Sequence, residues 1–155
     1  MITIEEIAVN DLRKFWVKHI AYLVHDGIIT DNEDVEYFSG KEYKSIIVSH
    51  MLREKNRHHM IYFVRDGKRI GAASFCIYDG EDAKCFILDY WVFPRFRGNG
   101  TGHKCFEQFE VYTKALGAEY YELNSEKEDS VRFWKSLGFC ENGADEYGVP
   151  LFIKR

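Results

Sequence analysis

The sequence predicts a single α/β domain over residues 1–155: a twisted, mixed but mainly antiparallel sheet of about seven strands with helices on both faces. Three observations carry this expectation. Short apolar runs bounded by turn residues recur along the chain, as strands require. Longer stretches repeat apolar residues at helical spacing instead. The order that results is βαα, ββ, βαβ, αββ, and the crossover helix of the βαβ unit makes its two strands parallel.

Ile2–Val9 reads as the first strand. Asn10 or Asp11 caps a helix running to about His25, with Phe15, Trp16, Ile20, Leu23 and Val24 on its apolar stripe. A polar loop, 27–33, leads to a second helical region over 34–57 that Gly40 can break. Strands His59–Val64 and Arg69–Tyr78 flank the turn Asp66-Gly67, and Asp79-Gly80 makes the next turn. A long apolar strand, Lys84–Val92, runs into a glycine-rich loop. The following helix, Gly100–Leu116, carries Cys105, Phe106, Phe109, Tyr112 and Leu116 on one side and ends at Gly117 in a left-handed cap. Glu119–Asn124 is a short strand. Ser125-x-x-Glu128 has the form of a capping box opening a helix to Leu137, which Gly138 ends. Strands near 139–142 and 149–154 close the chain.

The bulk composition excludes several classes. A formal net charge of −4 and a pI near 5.9 argue against a general nucleic-acid binder. No apolar run approaches the roughly 20 residues of a membrane span, and Met1–Glu6 lacks a signal pattern. A cytoplasmic location is the expectation. The four cysteines, Cys76, Cys85, Cys105 and Cys140, form no close pair, so they read as buried small hydrophobes. His50, His58 and His59 have no metal-ligand spacing, and no metal is expected.

The chemistry concentrates in Arg97-Gly98-Asn99-Gly100-Thr101-Gly102-His103, between the apolar strand and the next helix. A glycine-rich turn at a helix N-terminus presents backbone N–H groups and the positive end of the helix dipole, which suits a phosphate. Glycine lets that phosphate approach the backbone without meeting a Cβ. A P-loop would need Lys then Ser or Thr after its last glycine, and His103-Lys104-Cys105 follows Gly102. A dinucleotide fingerprint counted from Gly98 would need Gly or Ala where His103 stands.

The stretch Val92–Gly102 resembles the acetyl-coenzyme A signature of the GNAT N-acetyltransferases: Arg97, Gly100 and Gly102 fill its Arg/Gln-x-x-Gly-x-Gly/Ala places. A second segment, Ser130–Phe139, resembles that family's Ala-x-x-Phe-Tyr-x-x-x-Gly-Phe helix. The detailed match covers 85–139. The resemblance implies a GNAT-like fold that splays strands 84–92 and 119–124 apart around the cofactor's pantetheine arm. It also implies acetyl-CoA as co-substrate and transfer of its acetyl group to a primary amine of a small molecule or peptide by direct attack. Leu88-Asp89-Tyr90-Trp91-Val92 is similar to the polyamine-acetylating branch, with Leu88 where that branch has Glu. The partners so implied are acetyl-CoA and an amine acceptor, with a homodimer left open. Cofactor contacts carried over are Trp91, Val92 and Phe93 for the pantetheine, Arg97, Gly98, Asn99, Gly100, Thr101 and Gly102 for the pyrophosphate, and Lys127, Ser130 and Trp134 beyond them. Two of these depart from the family pattern: Trp134 stands where a Tyr commonly protonates the leaving thiolate, and Lys127 where Asn is frequent. The alternative is a non-catalytic acyl-CoA-binding domain of the same fold.

An alkylammonium with a pKa of about 10 must lose a proton before it attacks. Asp89, a lone carboxylate in an apolar strand at the alternation phase of Cys85, Ile87 and Trp91, is the candidate base, because burial raises a carboxylate's pKa. The competing reading is an ion pair with Arg or Lys of a neighbouring strand. Asp89, Tyr90, Glu33 and Asp34 are the acceptor-side candidates, the last two from an acidic run that the resemblance places beside the acceptor. Tyr90, Tyr121 and Tyr147 are the candidates for thiolate protonation in place of Trp134.

Overall fold

The computed structural model describes all 155 residues, Met1–Arg155. Its elements are β1 (Ile2–Glu6), α1 (Leu12–His25), α2 (Asn32–Ser39), α3 (Lys41–Met51), β2 (His58–Arg65), β3 (Lys68–Ile77), β4 (Lys84–Val92), α4 (Thr101–Ala115), β5 (Tyr120–Asn124), α5 (Glu128–Ser136), β6 (Cys140–Ala144) and β7 (Pro150–Lys154). The seven strands form one sheet in the order β1-β2-β3-β4-β5-β7-β6. Every neighbouring pair is antiparallel except β4–β5, the pair joined by α4.

Two apolar layers enclose the sheet. Cys105, Phe106 and Phe109 of α4 and Trp134 of α5 pack on one face, against Phe75, Cys85, Ile87 and Tyr121. On the other face Leu12, Phe15 and Trp16 of α1 and Ile47 and Met51 of α3 cover Met60, Tyr62, Ala72 and Trp91. Burying a large side chain contributes about 1.5–3 kcal/mol, so these rings dominate the fold's stability.

Several local expectations change. The first strand ends at Glu6, and Val9–Asp11 forms a 3-10 turn before α1. Neither Asn10 nor Asp11 caps α1 through its side chain. Gly40 does divide the second helical region, but α2 starts at Asn32, where the Asp31 carboxylate accepts from Asp34 N–H at 2.7 Å, and α3 stops at Met51. Within α1, Val24 is half exposed while His19 is buried. The Ser125–Glu128 capping box does not form: Lys127 is the cap residue of α5, and the Ser125 hydroxyl donates to Ser130 Oγ at 3.0 Å. Cys140 is exposed, unlike the other three cysteines.

The largest departure lies in β4. A bulge between Ser74 and Phe75 on β3 leaves Leu88 without a partner, since Ser74 faces Asp89 and Phe75 faces Ile87. An extra residue in one strand reverses the side-chain alternation beyond it. Cys85 and Ile87 therefore join the α4–α5 layer, whereas Trp91 joins the α1–α3 layer. Asp89 shares the phase of Trp91, not that of Cys85 and Ile87.

Candidate functional site

Parallel pairing of β4 with β5 is confined to Lys84–Phe86 and Tyr120–Glu122. Beyond Phe86 the strands diverge, and β5 continues to Asn124 paired only with β7. The β4 edge from Ile87 onward thus presents main-chain groups that no strand satisfies, in a cleft of about 920 Å³. Its walls include Tyr22, Asp26 and Ile28 from α1 and its exit, Asp89–Val92 from β4, and Ser130 and Trp134 from α5.

At the C-terminal end of β4 the chain turns through Pro94–Phe96 into the glycine loop. Gly98, Asn99 and Gly100 are consecutive left-handed residues, with φ of +98°, +55° and +72°. Such a run turns successive N–H groups toward one point and makes an anion-binding nest. No acceptor within the protein meets the N–H of Gly98, Asn99 or Gly100. A Cβ added at Gly98 or Gly100 would meet nothing within 4 Å, so the space before the loop is open. The loop therefore fits a pyrophosphate. Gly102 has a different reason to be glycine: a Cβ there would stand 2.8 Å from Phe133 Cε1, between α4 and α5. Thr101 is buried and its hydroxyl donates to the Gly98 carbonyl at 2.7 Å, closing the loop on itself.

The two cations expected to serve the cofactor are both engaged by the end of α1. Arg97 donates through Nε to the Val92 carbonyl at 2.7 Å and through Nη2 to Asp26 Oδ2 at 3.1 Å. Lys127 donates through Nζ to the Asp26 carbonyl. Asp26 also accepts from His25 at 2.8 Å, and although burial works against its ionised form, the His25 and Arg97 contacts hold its carboxyl below the usual range. One residue thus ties both lips of the cleft together.

Asp89 lies on the α1 side of β4 and lines the cleft, its side chain 23% exposed. No lysine or arginine pairs with it. The nearest ionisable partner is His19, with Nε2 at 3.7 Å from Oδ2. Burial raises the Asp89 carboxyl from 3.8 to about 7. The buried His19 imidazole is pushed down to about 4 for the same reason. Tyr22 stacks on Trp91 with centroids 4.3 Å apart and rings 5° from parallel. The Tyr22 hydroxyl is raised by burial and then by the Asp89 charge, and Tyr43 follows the same two causes.

The remaining candidates scatter. Tyr90 lines the cleft, but its hydroxyl is committed to the Gly102 carbonyl at 2.7 Å and is raised well above its ordinary value by burial. Tyr121 bonds Thr113 in the α4 layer, and Tyr147 is 84% exposed. Glu33 and Asp34 are exposed in the first turn of α2 and do not line the cleft; Phe93 lines a neighbouring groove instead. Trp134 is buried edge-on against Tyr90, Phe133 and Phe139. Sequence reasoning passed over His19, Tyr22 and Asp26. His19 and Tyr22 carry one available signal, since His19 stands three residues from Trp16 and four from Phe15, and Tyr22 three from His19, along α1.

The model of the acetyltransferase (GNAT) family matches residues 26–139. No curated protein sequence matches the chain. Among solved structures, the PaiA N-acetyltransferase from Thermoplasma acidophilum, in complex with coenzyme A, superposes with a TM-score of 0.71 at 18% identity, covering 100% of this chain and 99% of that one. An acetyltransferase from Streptococcus agalactiae gives 0.66 at 16% identity over 99% and 97%. An aminoglycoside acetyltransferase from an uncultured soil metagenomic sample, in complex with sisomicin, gives 0.57 at 18% identity over 87% and 86%. At such identities the superpositions establish the fold.

Proposed function

The chain belongs to the GNAT acetyltransferase family, and from that premise we propose that it is an N-acetyltransferase that moves the acetyl group of acetyl-CoA to a primary amine by direct attack. The observation that carries this reading is Asp89. The bulge turns a carboxylate with a pKa of about 7 onto the face opposite α4, beside an unpaired strand edge and a pyrophosphate nest.

The nest of Gly98, Asn99 and Gly100 N–H groups holds the pyrophosphate, and the free edge of β4 around Trp91 and Val92 pairs with the pantetheine amides as an added strand would. Bound there, acetyl-CoA supplies an activated thioester. Near neutral pH about half of Asp89 is ionised and takes a proton from the incoming ammonium. The neutral nitrogen attacks the carbonyl carbon, and an N–H of the free β4 edge faces the developing oxyanion. The C–S bond breaks, the electron pair leaves on sulfur, and the second proton of the attacking nitrogen passes to the departing thiolate or to water, which leaves a neutral amide. A thiol with an ordinary pKa of about 8.5 can depart as thiolate, and the engaged hydroxyl of Tyr90 and the indole of Trp134 fit departure without a dedicated acid.

Thiol release from acetyl-CoA over a panel of alkylamines, arylalkylamines and N-terminal peptides tests the reading, with coenzyme A affinity measured by calorimetry. Turnover with an amine supports it. Tight coenzyme A binding without turnover across the panel favours the acyl-CoA-binding alternative. Gly100→Asp places a carboxylate in the open space before the nest and abolishes coenzyme A binding in a folded protein; unchanged affinity removes the loop from the site.

A further inference from the structure

Four polar residues interrupt the aromatic layer under α1: His19, His58, Ser74 and the side chain of Asp89. Ser74 sits directly across from Asp89 in the β3–β4 register, and its hydroxyl bonds His58 Nε2 at 2.8 Å. That pair satisfies itself. His19 does not: it is 3% exposed, its Nδ1 has no partner, and its Nε2 points to Asp89 Oδ2 at 3.7 Å. Phe15, Trp16, Tyr22 and Trp91 surround the imidazole with centroids 5.3–6.3 Å away, so no water-facing orientation competes for it. A buried polar nitrogen without a partner is destabilising. An apolar ring at position 19 would avoid that cost and fill the same layer.

We propose that His19 is a positioning residue for Asp89: its neutral imidazole carries the proton on Nε2, directs that N–H at Oδ2, and leaves Oδ1 of the carboxylate for the acceptor amine. This rests on Asp89 acting as the base. The gap of 3.7 Å lies beyond hydrogen-bond range, and the proposal requires the two groups to approach by about 0.5 Å. Once closed, a neutral donor stabilises the ionised carboxylate without cancelling its charge, which a lysine or arginine in the same place would do. The other titratable groups facing the pair are Tyr22 of α1, Tyr43 of α3 and His58 of β2, each shifted toward its neutral form by burial first. None of them supplies a positive charge to Asp89 near neutral pH. Asp26, at the end of α1, is the nearest other carboxylate sensed by Tyr22.

The test reads the pair directly and needs no acceptor. In the full-length native protein, nitrogen–proton correlation spectra of labelled histidine report the tautomer of His19; the Nε2–H form is expected, and the Nδ1–H form overturns the proposal. Carboxyl carbon spectra of labelled aspartate, assigned with Asp89→Asn, follow the titration of Asp89. His19→Phe keeps the aromatic volume and removes the donor, so the Asp89 titration moves up by about one pH unit or more. His19→Gln places an amide N–H near the Nε2 position and restores the native midpoint. An unchanged midpoint in His19→Phe overturns the proposal, and if that variant does not fold, a His19→Gln midpoint as high as the one expected for a lost donor does so too. Failure of the base reading is visible separately, as amine acetylation that Asp89→Asn leaves intact while the midpoints still move.

Discussion

Replacing Asp89 with Asn should stabilise the protein in alkaline solution and nearly inactivate it. The carboxyl is held at about 7 by burial, against 3.8 ordinarily. The folded state therefore binds a proton more tightly than the unfolded chain does. A group with a raised folded pKa favours folding fully below its unfolded pKa, and that contribution is lost as pH rises through the folded pKa. For Asp89 the loss begins near pH 4 and is complete just above pH 7. A displacement of about three pH units corresponds to roughly 4 kcal/mol at full burial. The side chain keeps 23% of its exposure, so about 2–3 kcal/mol is the better expectation.

Asn cannot ionise, so Asp89→Asn carries no such penalty. Urea unfolding of both proteins at pH 5, 6, 7 and 8 should show midpoints that differ least at pH 5, where about a third of the penalty is already present, and diverge further in favour of the variant by pH 8, with unchanged slopes. In parallel, amine acetylation should fall by roughly 10²–10⁴-fold, as expected for loss of a general base. The loss should shrink as pH approaches the acceptor's own pKa, where the free amine needs no help. A stability difference that is the same at pH 5 and pH 8 would mean that Asp89 titrates ordinarily, and would refute the burial argument whatever the rates do.

Three further outcomes follow from the site. Gly102→Ala drives a methyl group against the Phe133 ring, 2.8 Å away, and should cost about 1–3 kcal/mol of stability by overpacking the α4–α5 contact, read from denaturant midpoints. Asp26→Asn removes the carboxylate that competes with a pyrophosphate for Arg97, so coenzyme A affinity measured by calorimetry should rise by up to about fivefold; a fall would make Asp26 a cofactor contact instead. Trp134→Phe should lower kcat less than tenfold, through packing against Tyr90 and Phe139, and a hundredfold fall with fold and coenzyme A affinity intact would give the indole N–H a direct part in the chemistry.

The backbone geometry of the glycine loop was legible because it is local. A nest of N–H groups needs only a few consecutive residues with the right backbone freedom, and Gly98-Asn99-Gly100 states that freedom in its composition. The βαβ unit was legible for the same reason: an apolar strand, a glycine turn and an amphipathic helix lie in one continuous stretch, and the handedness of crossovers fixes the rest. What stayed hidden depends on partners distant in sequence. Lys127 and Asp26 meet across about a hundred residues of chain, and Arg97 reaches Asp26 from α1's exit. No periodicity predicts such ties, so two expected cofactor cations prove to be engaged with a carboxylate and a carbonyl that sequence reasoning never considered.

The acceptor half failed to read through for a sharper reason. Alternation assigned Asp89 the phase of Cys85 and Ile87, which would bury it under α4 among Phe106 and Phe109. There it would have no route to an acceptor and no polar neighbour. One unpaired residue, Leu88, reverses that assignment and sets the carboxylate under α1, opposite Ser74 and within reach of His19. Leu88 is half exposed, as a residue squeezed out of the ladder should be. The same reversal puts Trp91 on the α1 side, where Tyr22 stacks on it, and leaves Tyr90 on the α4 side, where it braces Gly102. A single register irregularity therefore sorts three adjacent residues of β4 into a candidate base, a ring stacked under α1 and a strut for the glycine loop. Deleting Leu88 would straighten the strand and keep Asp89 opposite Ser74, whereas pairing Leu88 itself with Ser74 would swap Asp89, Tyr90 and Trp91 to the opposite faces, so it is the register around the bulge that holds these roles in place.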